Sequence, residues 1–508
     1  MNKTLNYSTV LFVELVYKEL VSALERKEDI KVLCDNLDRW CRNAFVDLHF
    51  DNIRNQTEPS PTQLFCRQKI DAMRRILHEA IKENSRIEDV VIRLTEDFGD
   101  IKADDYPVHA TFFCQEFDLF PSFHSVWNSF SDDQQYHRTA VFVWENEKED
   151  PVVTNYIDEN YDNYHEIGVP VINHTEYDLG KDHPDICFYM KPYYAIRGLP
   201  SKLFVDRVNK QTPFTVFISY CLDVQGGNRL FNFFYGMPAF YSMWKIIGYS
   251  QFYMEMAKEY GFRRGENVQV IGHPKFDALY ELLKNKQKWY NAKWSKKINN
   301  RPVVLWNTHF SVAPGEGVGT FLSWYKVVFD YIKKHHDIFL IWRPHPIFWQ
   351  EIIHQIDSNE FNAMCEELEQ MDNVIINRYG EYHYALAMSD ALISDAATFL
   401  IEYIPTGNPV MYTPKEGCEG VCDPKCVKEL YIGDSEDSII SYLDMVRNGQ
   451  DPKRDARLRN FEEDYGIIDG RNGIRIRDYI IDEMRKKIQS DAFSVVNGIT
   501  GEGSLWAN

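Results

Sequence analysis

RPVVLWNTH at 301–309, TFLSWYKVVFDYIKKH at 320–335 and DIFLIWRPHP at 337–346 follow one another closely in the chain. The first and third are short apolar runs of strand length that end in polar residues. The second has the spacing of an amphipathic helix. Strand, helix and strand in this order predict a βαβ unit and a parallel sheet.

The pattern continues outward in both directions. Downstream, FNAMCEELEQM (361–371) reads as a helix and NVIINR (373–378) as a strand; EYHYALAMSDALISD (381–395) is a helix followed by a strand. ATFLIEYIPTG (397–407) is a helix closed by Gly407, NPVMYTP (408–414) is a strand, and helices follow over 435–449 and 472–487. Upstream, from about residue 105, TAVFVWE, VPVINHTEYDL, DICFYMKP, FTVFISY and NVQVIGHP are further short runs between helical stretches. Residues 1–95 are helical in pattern, with a break at Asn55–Thr62 where Pro59 and Pro61 fall. The basic, weakly patterned Lys284–Asn300 reads as a linker. The expected organisation is a helical region over 1–100, a first Rossmann-like lobe over 101–283, a linker at 284–301, a second lobe over 302–490 and a loose tail over 491–508. Two α/β lobes with a cleft between them are the predicted architecture.

Composition narrows the function. The chain has 508 residues and a formal net charge of −20, which repels nucleic acid and anionic lipid at long range. Nucleic acid is not an expected partner. The 32 Phe, 30 Tyr and 11 Trp argue against disorder. Ten cysteines are scattered, several in apolar runs (Cys114, Cys187, Cys221), as befits a reducing compartment. Cys418, Cys422 and Cys426 are four apart, a spacing that fits neither a zinc pair nor an iron–sulfur run. No metal or cofactor is expected. Glu14, Lys18 and Glu19 interrupt the N-terminal apolar residues too early for a signal peptide. No apolar run approaches the roughly 18 residues of a spanning helix. A cytoplasmic location is predicted, compatible with peripheral contact at the inner face of the membrane. The aromatic stretch Phe214–Tyr260, which includes FNFFYGMPAFYSMWKIIGYSQFYM (231–254), is either a buried helix pair or a greasy surface near a lipid-linked acceptor.

In open α/β sheets ligands bind beyond the carboxyl ends of the strands, and polar residues crowd four such ends. VQVIGHPKFD (268–277) ends a strand in a tight turn with Gly272, and Lys275 can reach a phosphate as a point charge. LWNTHFS (305–311) runs into Asn307, Thr308, His309 and Ser311, followed by the glycine-rich APGEGVGT (313–320), a loop able to turn N–H groups toward an anion. IWRPHP (341–346) sets Arg343, a bidentate phosphate ligand, beside His345, an acid or base, between stiffening prolines. ALISDAATFLIEY (391–403) ends a strand at Ser394 and Asp395 and starts a helix whose N–H groups suit a phosphate. Thr398 adds a hydroxyl there, and Glu402, one turn on, can accept from ribose hydroxyls.

These elements, in this order, resemble the CDP-glycerol glycerophosphotransferase-like family of teichoic acid and capsule polymer enzymes. GHPKFDAL resembles its Gly-x-Pro-Lys/Arg-x-Asp element, IWRPHP its Arg-Pro-His-Pro element, and LISDAATFLIEYIPTGNPVMYTP its Ser-Asp helix with a following Gly-x-Pro strand. IDGRNGIRIRDYI (468–480) is similar to its Asp-Gly-x-x-x-x-Arg ending, and PDICFYMKPYY (184–194) to a strand end of its first lobe. The resemblance, over about 140–480, implies a GT-B fold with the acceptor at the N-terminal lobe (101–283) and a nucleotide-activated, CDP-linked donor held by the C-terminal lobe (302–490). It implies transfer of a polyol phosphate to a hydroxyl of a glycan or lipid-linked acceptor. It assigns Arg343, His345, Ser394, Thr398 and Glu402 to the donor. One departure stands out: the family's first-lobe His-Gly is absent from FISYCLDVQGG (217–227), where Tyr220 or Asp223 takes the place of the base. The expected catalytic set is therefore His345, His309 and Asp223. The expected donor set is Gly272, Lys275, Thr308, Arg343, Ser394, Asp395, Thr398 and Glu402. The same phosphate grip would serve a glycosyltransferase or epimerase that uses a UDP- or CMP-linked sugar. A non-catalytic nucleotide-binding scaffold is the third reading. Oligomeric state is left open.

Overall fold

The structure is a computed structural model that describes residues 5–55, 60–144, 151–192, 199–222, 227–313, 317–378, 382–395, 397–417, 420–421 and 423–499. Within these the chain divides into two compact units. The first is Met1–Ile218 with Ser242–Ile246 and Ile474–Asn508; the second is Ser219–Tyr241 with Ile247–Gly473.

Four helices open the first unit: Tyr7–Glu25, Ile30–Asn55, Pro61–Glu83 and Ile87–Phe98. Asn6 caps the first, and Ser60 with Gln63 forms a capping box on the third, where Pro61 fits the first helical position. The buried Asp185 carboxylate accepts from the backbone N–H of Ser8 at 2.7 Å and of His109 at 2.9 Å, tying the helical region to the sheet.

That sheet contains β1 (Val108–Cys114), β2 (Tyr136–Phe142), β3 (Val171–Asn173), β4 (Ile186–Tyr189), β5 (Phe214–Ile218), β6 (Lys245–Gly248) and β7 (Val268–Val270), in the order β3-β2-β1-β4-β5-β6-β7. β1 runs parallel to both β2 and β4. Connections leave β1 toward β2 and β3, then return to its other side at β4. The topological switch therefore lies between β1 and β4.

The second sheet holds β8 (Val303–Thr308), β9 (Phe339–Pro344), β10 (Val374–Ile376), β11 (Ala391–Ser394), β12 (Val410–Tyr412) and β13 (Tyr431–Ile432), all parallel, in the order β10-β9-β8-β11-β12-β13. Its switch lies between β8 and β11. All six residues of β8 are buried, as continuous apolar strands in a doubly covered sheet must be. Helix Phe321–Lys334 packs Phe321, Val328, Phe329 and Ile332 into the core and leaves Lys333 and Lys334 at its last turn. Phe321 stacks on Trp342 at 5.2 Å between centroids, with Trp306 beside them. Each such ring contributes roughly 1.5–3 kcal/mol by burial alone. The GT-B-like class expected from the sequence, two Rossmann-like parallel-sheet lobes with N-terminal helices, is the architecture found.

Three expectations read differently. Residues 284–301 lie inside the second unit and carry a helix, Ala292–Ile298. Within the expected tail, 491–497 continue helix Asn472–Asn497: Ala492, Val495 and Val496 are buried and Asn36 Nδ2 donates to the Val496 carbonyl at 2.8 Å. Residues 500–508 lie outside the described residues. The aromatic stretch is mixed: Phe231, Tyr235, Phe240, Phe252 and Tyr253 are buried, while Phe233 and Tyr241 are exposed. No described helix is long and apolar enough to cross a membrane.

Candidate functional site

The carboxyl ends of the switch strands gather the predicted residues. Parallel register sets Asn307 beside Arg343 on one side and Ser394 on the other. Asn307 bridges them: its Nδ2 donates to the Arg343 carbonyl at 3.1 Å, and its Oδ1 accepts from Ser394 Oγ at 3.1 Å. The Arg343 guanidinium donates to Asn377 Oδ1.

Just beyond these ends stand two histidines, with ring centroids of His309 and His345 6.0 Å apart. Ser311 Oγ lies 2.6 Å from His309 Nδ1, and the Ser311 N–H also donates to that nitrogen. The Ile347 N–H donates to His345 Nδ1 at 3.2 Å. With each Nδ1 accepting, each ring carries its proton on Nε2. Burial pushes His309 down to about 3, helped by the charges of His345 and Lys415, and His345 down to about 4, helped by Arg343. At neutral pH both are uncharged donors with a cation near each ring. They are poised to donate hydrogen bonds to an anion. They do not hold the second proton that a charged acid would deliver.

Asp395 organises this arrangement from below. It is buried, accepting the N–H of His309 at 2.7 Å, the N–H of Thr320 at 2.6 Å and Thr320 Oγ1 at 3.1 Å. Burial still pushes it up to about 6. Its carboxylate thus pins both ends of the loop after β8. Inside that loop Gly317 has φ +63°, and a Cβ on it would sit 2.1 Å from Ser311 Oγ. Pro314, Gly315 and Glu316 lie outside the described residues. Thr308 is fully buried and its Oγ1 accepts from Trp342 Nε1 at 3.3 Å. Thr398 is half-buried in the short helix Ala397–Tyr403.

The GHPKFD element behaves as a structural joint. Gly272 has φ +131°, and a Cβ there would meet Asn472 Oδ1 at 2.2 Å. Asp277 accepts from the N–H groups of Asn472 and Gly473, at 2.9 and 2.8 Å, and from Asn472 Nδ2 at 3.0 Å. The two sequence elements GHPKFD and DGRNG are therefore packed on one another. His273 is buried, bonded through Nε2 to the Ser219 carbonyl at 2.7 Å and held down to about 3 by burial. Lys275 Nζ bonds Glu402 Oε1 at 2.8 Å, with side-chain exposures of 11% and 4%. The first and fourth predicted strand ends thus meet as a buried ion pair.

Asp223 lies outside the described residues, as do Cys418, Cys422 and the side chain of Cys426. Among the described residues no cluster has the makings of a metal site. Two polar residues of the site carry no signal in the sequence reading. Asn377 follows β10, and Lys415, just past β12, donates to the Ala313 carbonyl at 2.7 Å. Both follow strands, so the rule that selected Arg343 reaches them. What it lacked was the strand order that brings those ends beside β8 and β11.

No protein-family model matches the chain, and no curated protein does. Solved structures do. The chain is similar to the UDP-GlcNAc 2-epimerase of Neisseria meningitidis bound to UDP-GlcNAc, at 12% identity and TM-score 0.50, over 74% of this chain and 99% of that one. It is also similar to a point variant of the wall teichoic acid polymerase TagF soaked with CDPG, at 13% identity and TM-score 0.46, over 82% of this chain and 98% of that one. At this identity the likeness to the epimerase shows the fold alone.

Proposed function

We propose that this chain is a transferase that moves a polyol phosphate, such as glycerol phosphate, from a CDP-activated donor to a hydroxyl of a glycan or lipid-linked acceptor. The observation that carries the reading is the neutral pair His309 and His345, with Arg343 and Lys415 as their neighbouring cations, at the switch of the second sheet. Cations and N–H donors at such a switch suit a diphosphate. The ordered sequence elements that resemble the glycerophosphotransferases support the choice of donor.

In the proposed reaction the acceptor oxygen attacks the phosphorus of the transferred group. The bond from that phosphorus to the bridging oxygen breaks, CMP leaves with the electron pair, and the acceptor proton passes to a base, for which Asp223 or Tyr220 is proposed. Negative charge grows on the leaving phosphate. Nε2–H of both histidines and the Arg343 guanidinium would stabilise it, while Thr398 would hold the rest of the donor. Asp395, Ser311 and Asn307 act through these groups by fixing their positions.

A thermal-shift series tests this. At a hundredfold excess over Kd a ligand adds about 2.7 kcal/mol, or about 5–11 °C for a domain of this size. CDP-glycerol or CDP-ribitol should produce such a shift, and Arg343→Ala should lose it while keeping its unliganded midpoint. Phosphorus NMR of the product should show a phosphodiester. Stabilisation by uridine or guanosine sugars alone would favour the nucleotide-sugar reading, and no shift with any nucleotide would overturn both.

A further inference from the structure

The chain that leaves β12 is fastened by two buried acids, Asp423 and Asp464, which are 1% and 7% exposed. Asp423 stands just before helix Pro424–Lys428, and its Oδ1 accepts the Lys425 N–H at 3.0 Å. Its Oδ2 accepts Tyr465 OH at 2.8 Å. Asp464 and Tyr465 end helix Arg454–Tyr465, so Asp423 joins the two helices. The Asp464 carboxyl is in turn a side-chain hydrogen-bond neighbour of Asp423. Yet Asp464 Oδ2 is buried with no hydrogen-bond partner among the described residues. Ionised carboxylates only accept, so a hydrogen bond between two of them needs a proton. Asp423 already accepts from Lys425 and Tyr465, which leaves the proton on Asp464. The neighbouring charges do not replace it. Lys425 Nζ stands 3.8 Å from Asp464 Oδ1, but its side chain is 52% exposed and screened by water. Glu255, on helix Gln251–Tyr260, adds negative charge. Glu429 and Arg457 line the same cavity as Asp464, and Arg457 is paired with Asp451. Burial first, and the Asp423 charge next, push Asp464 up to about 7.

We propose that one proton, held between Asp423 and Asp464, fastens residues 423–428 to helix Arg454–Tyr465 and makes that attachment sensitive to pH. With the proton in place the pair is a hydrogen bond. Without it, two buried like charges face each other. When the segment is detached, Asp464 meets water and behaves as an ordinary carboxylic acid. The attached state therefore holds its proton more tightly than the detached one. Attachment weakens as pH rises from the ordinary carboxyl range to about 7, and is level above that. The pair lies wholly in the second unit and does not depend on the transferase reading.

The test is hydrogen exchange on the intact chain without nucleotide, so its outcome is separate from that of the donor assays. The reporter is the Val427 N–H, which donates to the Asp423 carbonyl at 3.1 Å. Asp464→Asn gives the pair a permanent N–H donor in place of the shared proton. Asp423→Asn does the same from the other side, keeps an oxygen for Lys425, and carries the test alone if the first variant does not fold. Parent and variant are compared at the same pH, which cancels the intrinsic pH dependence of exchange. The ratio of parent to variant protection should fall by about tenfold or more between pH 5.5 and 8, with most of the fall below about 7. A contact that is merely structural would weaken in the variants by the same factor at every pH. A ratio that stays constant or rises over that range, against either folded variant, would overturn the proposal.

Discussion

Replacing Lys275 by Met should destabilise the second unit far more than the loss of one surface charge would. The reason is Glu402, which is 3% exposed and has the Lys275 ammonium at 2.8 Å. Removing one member of a buried pair costs about 3–5 kcal/mol, because the other charge is stranded away from water. At about 2–4 °C per kcal/mol for a domain of this size, the midpoint should fall by about 6–20 °C. An exposed pair would give about 1 kcal/mol or less. The double variant Lys275→Met/Glu402→Leu strands nothing and should recover most of the loss. Calorimetry on the intact chain is the right assay, since two units need not unfold as one transition. Single variants that each lose less than about 1 kcal/mol, with a double variant equal to their sum, would refute the reasoning. That result would mean that the pair is open to water in solution.

Gly272→Ala should cost at least about 2 kcal/mol, through its φ of +131° and the 2.2 Å approach to Asn472. Hydrogen exchange should show the N–H groups of Asn472 and Gly473 losing protection. The buried histidines predict a pH effect of definite sign. His345 is held down from 6.5 to about 4. The unfolded chain therefore binds its proton first, and stability falls as pH drops below about 6.5. Between pH 7.5 and 5 this one ring accounts for about 2 kcal/mol. His345→Gln should narrow the gap between midpoints at the two pH values by about 4–8 °C, and an unchanged gap would show that the ring is open to solvent.

The strand ends were legible because each is a local event. VVLWNT and FLIWRP are apolar runs that stop at polar residues, and the stopping points Asn307 and Arg343 are the residues that face one another across the register. Ser394 was legible for the same reason. What stayed hidden depends on contacts between distant segments. Asp395 reads as a helix cap or donor ligand, but its carboxylate is taken by His309 and Thr320. Gly272 reads as a turn at a ligand, but its missing Cβ makes room for Asn472, 200 residues on. Lys275 reads as a phosphate cation, and its charge is shared with Glu402 from the opposite predicted element. The protonation of the histidines was hidden too, since burial sets it and no motif encodes burial.

The return of residues 474–499 to the first unit sets an order for making the protein. When residue 218 leaves the ribosome, the segment that supplies Val495 and Val496 does not yet exist, and Asn36 has no Val496 carbonyl to hold. At roughly 5–20 residues per second, the wait for it is about 15–60 s. All of the second unit is synthesised in that interval and can close on itself. The first unit to be started is thus the last to be finished, and until then the apolar surface that Val495 and Val496 cover stays unfilled.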